Sequence, residues 1–160
     1  MIYRAIVEWK LRRAFAALND GDCSVVLAAF ANRVEHTFYG QHALGGTRHA
    51  PDSLRQWYAR LLKLLPDLHF DVDSVVVRGW PWDTIAVVEW RDRFSLRDGQ
   101  RCSNQGVHVL RLRWGRVVSL RIHCDTQKLQ GILQALHDQG VVEAAMSPII
   151  DTAPAHTAQA

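Results

Sequence analysis

The stretch from Ile85 to Cys124 constrains this chain more than any other. It reads as three consecutive strands joined by two similar turns, Arg97-Asp98-Gly99 and Arg113-Trp114-Gly115. In each turn the glycine can take the positive φ that closes a type I turn with a bulge, so three residues separate each paired strand end. From Ile85 to Leu96 the residues alternate. Ala86, Val88, Trp90, Asp92, Phe94 and Leu96 share one face, and Glu89, Arg91, Arg93 and Ser95 share the other. The first face is therefore expected to point inward. Pairing Leu96 with Gln100 sets Asp92 opposite Asn104, Trp90 opposite Gly106 and Val88 opposite His108. A two-residue turn at Asp98-Gly99 is equally well formed locally, but it would bury Glu89, Arg91 and Arg93 at several kcal/mol each, and it is rejected on that ground. Pairing Leu112 with Arg116 at the second turn puts Leu120, Ile122 and Cys124 opposite His108, Gly106 and Asn104. An apolar curved face results, with Asp92, Asn104 and His108 aimed at one volume.

The rest of the chain supplies helices to cover that face. Val7, Leu11, Ala14/Phe15 and Leu18 have helical spacing, and Asn19-Asp20-Gly21 ends the run. Asp22 is a candidate N-cap for a short helix carrying Val25, Val26, Ala29 and Phe30. Val34 to Phe38 alternates as a strand with Val34, His36 and Phe38 on one side. Tyr39 to Asp52 reads as a loop whose His42, Arg48 and His49 could close over a pocket mouth. Asp52 or Ser53 caps a third helix with Leu54, Trp57, Tyr58, Leu61 and Leu65 on its stripe, stopped by Pro66. Leu68 to Arg78 reads as a long strand with Phe70, Val72, Ser74 and Val76 on one face and Val75 and Val77 on the other. Gly79 to Asp83 is a turn whose two tryptophans must pack on this domain's rim or on a partner. Asp125 caps a last helix with Leu129, Ile132, Leu133 and Leu136 on its stripe.

Helices ahead of an antiparallel meander imply an α+β fold, a curved antiparallel sheet wrapped around the N-terminal helices as a conical barrel with an internal pocket. At 160 residues and 48% hydrophobic, one domain over residues 1–140 is expected, with 141–160 as a partly mobile tail. The N-terminus is broken by Arg4, Glu8, Lys10, Arg12 and Arg13, and no apolar run approaches membrane-spanning length; a soluble, cytoplasmic protein with no membrane partner is the expectation. Cys23, Cys102 and Cys124 form no CxxC pair and read as free thiols. The net charge of +3 is interspersed with acids, which argues against a nucleic-acid partner. The histidines have no HxH or HxxxH spacing, so no metal site is expected, and chemistry by proton transfer alone calls for no organic cofactor.

Against this reading, Phe15-Ala-Ala-Leu-Asn-Asp-Gly-Asp22, Leu27 to Phe30 leading into Val34-Glu35-His36, Gly46 ahead of the Leu54 to Tyr58 helix, and Gly115-Arg-Val-Val-Ser-Leu-Arg121 resemble the NTF2-like superfamily, within it the ketosteroid isomerase and SnoaL-like branch. The resemblance covers roughly residues 5 to 130 and implies the same cone. It implies activity poorly, because that cone hosts isomerases, dehydratases, epoxide hydrolases, cyclases and non-catalytic binding proteins. The steroid isomerases' general-base aspartate falls on His36, their oxyanion-hole aspartic acid on His108 and their tyrosine on Ala14. The limonene epoxide hydrolases' Asp-Arg-Asp set falls on Asp92, Trp90 and Ile122. Both sets are broken, yet the resemblance returns to His36, Asp92 and His108. These three are the candidate catalytic residues for acid–base work on a small apolar or amphipathic molecule. Phe38, Trp57, Trp90, Asn104, Ile122 and Cys124 are candidate substrate-binding residues, with Asn104 as a neutral donor. The alternative is a non-catalytic binding or dimerisation module. Val107, Val109, Arg91, Arg93, Arg111, Arg121 and Glu89 on the outer sheet face suit a homodimer contact under either reading.

Overall fold

The computed structural model describes residues 2–151. Helices α1 (Ile2–Asn19) and α2 (Ser24–Ala29) lead directly into strand β1 (Phe30–Phe38). After β2 (Gly46–Arg48) and α3 (Pro51–Leu64), the chain runs through β3 (His69–Trp80), β4 (Asp83–Ser95), β5 (Arg101–Arg113) and β6 (Arg116–Cys124) into α4 (Thr126–Asp138). The six strands form one curved sheet in the order β2-β1-β6-β5-β4-β3. Helix stripes close its concave side: Val7, Leu11, Phe15 and Leu18 from α1, Leu54, Trp57, Tyr58 and Leu61 from α3, Leu129, Ile132 and Leu136 from α4. The α+β cone is as expected.

Four local features depart from the sequence reading. The sheet is mixed, because β1 lies parallel to β6; a strand entering from α2 alongside the last strand has the same chain direction as its neighbour. The barrel is unclosed, with β2 and β3 as its edges. Within the expected loop, Gly46 to Arg48 pairs with Phe38 to His36 as a short strand. In β3 the register shifts between Val72 and Ser74, a bulge that reverses the alternation. Phe70, Val72, Val75 and Val77 therefore share the inner side, and Val76 is exposed.

The two hairpin turns of the meander differ. At the first, Leu96 N–H donates to the Gln100 carbonyl at 2.9 Å and Gly99 has φ 87°, the expected three-residue loop. At the second, Trp114 and Gly115 both have positive φ, 51° and 76°, and Arg113 pairs with Arg116. This is a two-residue turn with the twist that suits a hairpin. A register shift at Arg111/Leu112 follows, so His108 faces Ile122 and Gly106 faces Cys124, two residues from the expected pairing. The same side chains still point inward because the displacement is even.

Helix α3 starts at Pro51, with Ala50 rather than Asp52 or Ser53 at its N-cap. Asp151 reaches in from the far end of the chain and accepts the backbone N–H of His49 at 2.7 Å and of Ala50 at 3.0 Å. Residues 141–151, read as the start of a tail, thus include a 3-10 turn at Val142–Ala145 and hydrogen-bonded contacts to α3's entry. Residues 152–160 of that expected tail lie outside the described residues. Asp125 caps α4 by accepting from Lys128 N–H at 3.0 Å, as expected.

Candidate functional site

The inner wall is an array of rows set by strand register. Along β5, Asn104 lies opposite Asp92, Gly106 between Trp90 and Cys124, His108 between Val88 and Ile122, and Leu110 between Ala86 and Leu120. β1 adds Phe38 beside Ile122 and His36 beside Leu120. Rows are separated by two residues, about 6.6 Å of rise. Asp92 and His108 are therefore about 13 Å apart along the strands, and Asp92 and His36 about 20 Å.

Eight of the nine residues singled out from sequence border one hollow: Asp92, His108, Phe38, Trp57, Trp90, Asn104, Ile122 and Cys124. Leu18, Leu61, Phe70 and Leu129 complete much of its apolar lining. The free space among them is about 40 Å³, room for roughly two or three waters until side chains move. His36 does not border it. No hydrogen bond joins Asp92 to either histidine among the described residues, as the row spacing requires.

Asp92 is buried in the wall and accepts from Asn104 N–H at 2.6 Å. Burial pushes its carboxyl up to about 6, against the opposing pull of that N–H and of Lys128. It also borders a polar outer cleft of about 350 Å³ with Asp71, Arg91, Asn104 and Lys128. One carboxyl thus stands between the apolar hollow and a route to solvent. Asn104 is committed on both sides of its amide: Oδ1 accepts from Gln105 N–H at 2.8 Å, and Nδ2 donates to the Asp125 carbonyl at 3.1 Å. The Cys124 thiol also lies within hydrogen-bonding reach of this amide. Burial, with the charges of Asp92 and Asp125, pushes the Cys124 thiol up to about 12, so it is a neutral wall group.

His108 is tuned the other way. Trp90 Nε1–H donates to its Nδ1 at 2.7 Å, and an indole can only donate. The neutral ring must therefore carry its proton on Nε2, where no protein group accepts it among the described residues. Burial, and to a lesser degree His123, lower the imidazole to about 3. Gly106 makes the arrangement possible: a Cβ there would stand 2.7 Å from Trp90 Cζ2 and 2.2 Å from the His123 carbonyl. The indole fills the space that a side chain would take.

His36 has a different partner. Arg48 Nη1 donates to its Nδ1 at 2.9 Å, and both side chains are fully buried. The same guanidinium donates from Nη2 to the Gly45 and Gly46 carbonyls and from Nε to the Ile149 carbonyl, and lies 5.3 Å from the Trp57 ring centroid. Burial and then the Arg48 charge hold His36 well below the usual imidazole range. Its Nε2 is buried with no partner among the described residues, beside the rings of Trp57, Tyr58 and Phe30. Arg48, expected in a loop over the pocket mouth, is instead an internal clamp. His42 donates to the Tyr39 carbonyl and the His49 ring to Asp151, and neither borders the hollow.

Residues 11–120 match the SnoaL-like domain family. The chain belongs to this family, within the NTF2-like superfamily. Among solved structures, this SnoaL-like domain is similar to an NTF2-like protein of unknown function from Burkholderia pseudomallei K96243, with 25% identity, 79% of this chain and 95% of that one covered, and a TM-score of 0.69. It shares its fold with a candidate SnoaL-like polyketide cyclase from Jannaschia sp. CCS1, at 17% identity, 83% and 92% coverage and TM-score 0.66. A candidate polyketide cyclase from Streptomyces antibioticus has 15% identity, 80% and 98% coverage and TM-score 0.64. No functionally curated protein matches the SnoaL-like chain significantly. Among the described residues no helix is long and apolar enough to cross a membrane.

Proposed function

We propose that this SnoaL-like domain binds a small, mostly apolar molecule in the hollow and moves a proton on it, as an isomerase, dehydratase, hydrolase or cyclase working through its own acid–base side chains. The observation that carries this reading is Asp92, a carboxyl raised to about 6 in the wall of an apolar hollow. Above that pH the carboxylate is a poorly solvated base, reactive toward a proton beside a carbonyl. His108 complements it as a neutral donor through Nε2–H, a role like that of an oxyanion-hole group. Of the three catalytic candidates, His36 is assigned to positioning, since its Nδ1 is taken by Arg48 and it stands outside the hollow.

The test is turnover or hydrogen–deuterium exchange of enones, epoxides and β-hydroxy ketones in D2O, followed by NMR. At least one is expected to react at a rate that rises with pH through about 6, and Asp92→Asn abolishes the reaction. Turnover unchanged in that variant would overturn the assignment.

The small free volume favours a second reading, a binding or dimerisation module without catalysis. The outer sheet face supports a homodimer in either case. Arg91 is held by Asp73, Arg93 by Asp71 and Arg111 by Asp83, which neutralises the charges flanking Val76, Val87, Val107 and Val109. Val76 is 60% exposed, and a valine face of this kind is better covered than wetted. Sedimentation at micromolar concentration is expected to give a dimer that Val76→Glu dissociates; a monomeric wild type counts against it.

A further inference from the structure

We propose that the end of the cone bearing Trp80, Trp82 and Trp114 docks onto an anionic lipid surface. The β3–β4 and β5–β6 turns are fastened together there, with Trp114 N–H donating to the Pro81 carbonyl at 2.6 Å. The Trp80 and Trp82 rings are parallel within 5° at a centroid distance of 5.8 Å, and Trp114 lies 6.3 Å from Trp82. All three are more than half exposed, at 65%, 54% and 74%. The Tyr3 hydroxyl hydrogen-bonds Thr84 Oγ1 at 2.7 Å, which brings the first turns of α1, with exposed Ile2 and Ile6, to the same end. The three tryptophans, Ile2 and Ile6 are not part of the core cluster.

Charge selects the occupant. Arg4, Arg78, Arg113 and Arg116 are exposed and flank the aromatic tip in sequence and register. The neighbouring carboxylate, Asp83, is occupied by two hydrogen bonds from Arg111. The tip is therefore apolar at its point and positive around it. Indole rings favour the headgroup level of a bilayer, and arginines beside them favour anionic lipid. A single nucleic-acid strand would also meet arginine and aromatic rings, but it calls for a groove that tracks its backbone. Here the aromatics sit on two projecting turns, and aliphatic Ile2 and Ile6 offer a base nothing to stack on. No segment spans the bilayer in this proposal; the contact is peripheral.

The test is flotation of the full chain with phosphatidylcholine vesicles, alone and with about one third phosphatidylserine, at low and at physiological salt. The chain is expected to float with the anionic vesicles only, less at higher salt, and brominated lipid is expected to quench its tryptophan emission. Trp82→Ala with Trp114→Ala lowers partitioning by about tenfold or more, and Arg113→Glu lowers it separately. Both changes lie on exposed turns, and an unchanged far-UV spectrum verifies the fold. No flotation with anionic vesicles at low salt overturns the proposal, as does flotation indifferent to the tryptophan pair. Tighter binding to an oligothymidylate than to vesicles overturns it in favour of nucleic acid. Self-association that the tryptophan pair abolishes, without vesicle binding, overturns it in favour of a second copy.

Discussion

Nη1 of Arg48 donates to Nδ1 of His36 across 2.9 Å, between two side chains with no exposed surface. Among the described residues no carboxylate is hydrogen-bonded to the guanidinium; the carbonyls of Gly45, Gly46 and Ile149 solvate it instead. Arg48→Ala strands His36 Nδ1 and the Gly45 carbonyl in the interior, frees the half-buried Gly46 and Ile149 carbonyls, and is expected to cost about 3–5 kcal/mol. Arg48→Lys keeps the charge but loses the fork, and recovers only part of that stability. His36→Ala costs less than Arg48→Ala, because it orphans a single N–H. Urea unfolding of the two single variants and the double variant measures the coupling; additive losses would show that the hydrogen bond contributes nothing.

Acid should weaken this fold in a way that Asp92 partly masks. His108 is neutral in the fold down to about pH 3, whereas an unfolded imidazole protonates near 6.5. Between these values the unfolded chain binds more protons, so stability falls as pH falls, and His36, also lowered, adds to the loss. Asp92 works in the opposite sense: it protonates at about 6 when folded and near 3.8 when unfolded, so lowering the pH through that window stabilises the fold. Asp92→Asn is expected to raise stability at neutral pH by on the order of 2–3 kcal/mol. It should also steepen the decline between about pH 6 and 4. Unfolding curves at pH 8 and at pH 5 provide the check, and a variant gain that persists undiminished at pH 3 would contradict the assignment.

The Trp90 indole controls the His108 tautomer. Trp90→Phe leaves Nδ1 without its donor, which costs about 1–3 kcal/mol and removes an interaction that favours the neutral ring. The imidazole pKa is expected to rise from its depressed value of about 3. In ¹⁵N imidazole spectra at neutral pH, the wild type should show His108 with its proton on Nε2 alone, and Trp90→Phe a mixture of tautomers. A mixture already present in the wild type would refute the hydrogen-bond direction.

Asp92 facing Asn104 could be read from the chain because Gly99 sets the length of the first hairpin loop, and alternation then carries the register along both strands. The same logic slipped at the second turn because Trp114, a bulky non-glycine residue, itself takes positive φ, a conformation the pattern gives no reason to expect. The inward direction of Asp92, Asn104, His108 and Cys124 survived, since the two-residue error preserves alternation. The bulge near Val72 was invisible for a related reason: valines occupy both sides of the strand, so apolarity could not mark the face. The burial of Arg48 is the largest departure from the sequence pattern. Its burial depends on His36 and on a carbonyl about a hundred residues away at Ile149, and an arginine after two glycines looks like a solvated loop until that distant segment is in place.

Asp151 gives the end of the described chain a structural role open to direct test. Its carboxylate accepts from the backbone of His49 and Ala50 and from the His49 ring at 3.0 Å, at the entry of a helix whose own N-cap side chain, Ala50, cannot accept. Partial burial pushes the carboxyl up, but the combined hydrogen bonds from Ser53, Ala50 and His49 outweigh it and hold the group at about 2. The contribution is complete above pH 3.8 and is lost as pH falls toward 2. Asp151→Ala is expected to cost about 1–2 kcal/mol at neutral pH, as loss of a helix cap does, and Asp151→Asn to recover part of it through the remaining oxygen. Ending the chain after Pro148 should cost more, because it also takes the Ile149 carbonyl away from Arg48. Thermal unfolding ranks the three. Equal melting temperatures for the truncated and intact chains would show that the segment is passive and that Arg48 is solvated by other means.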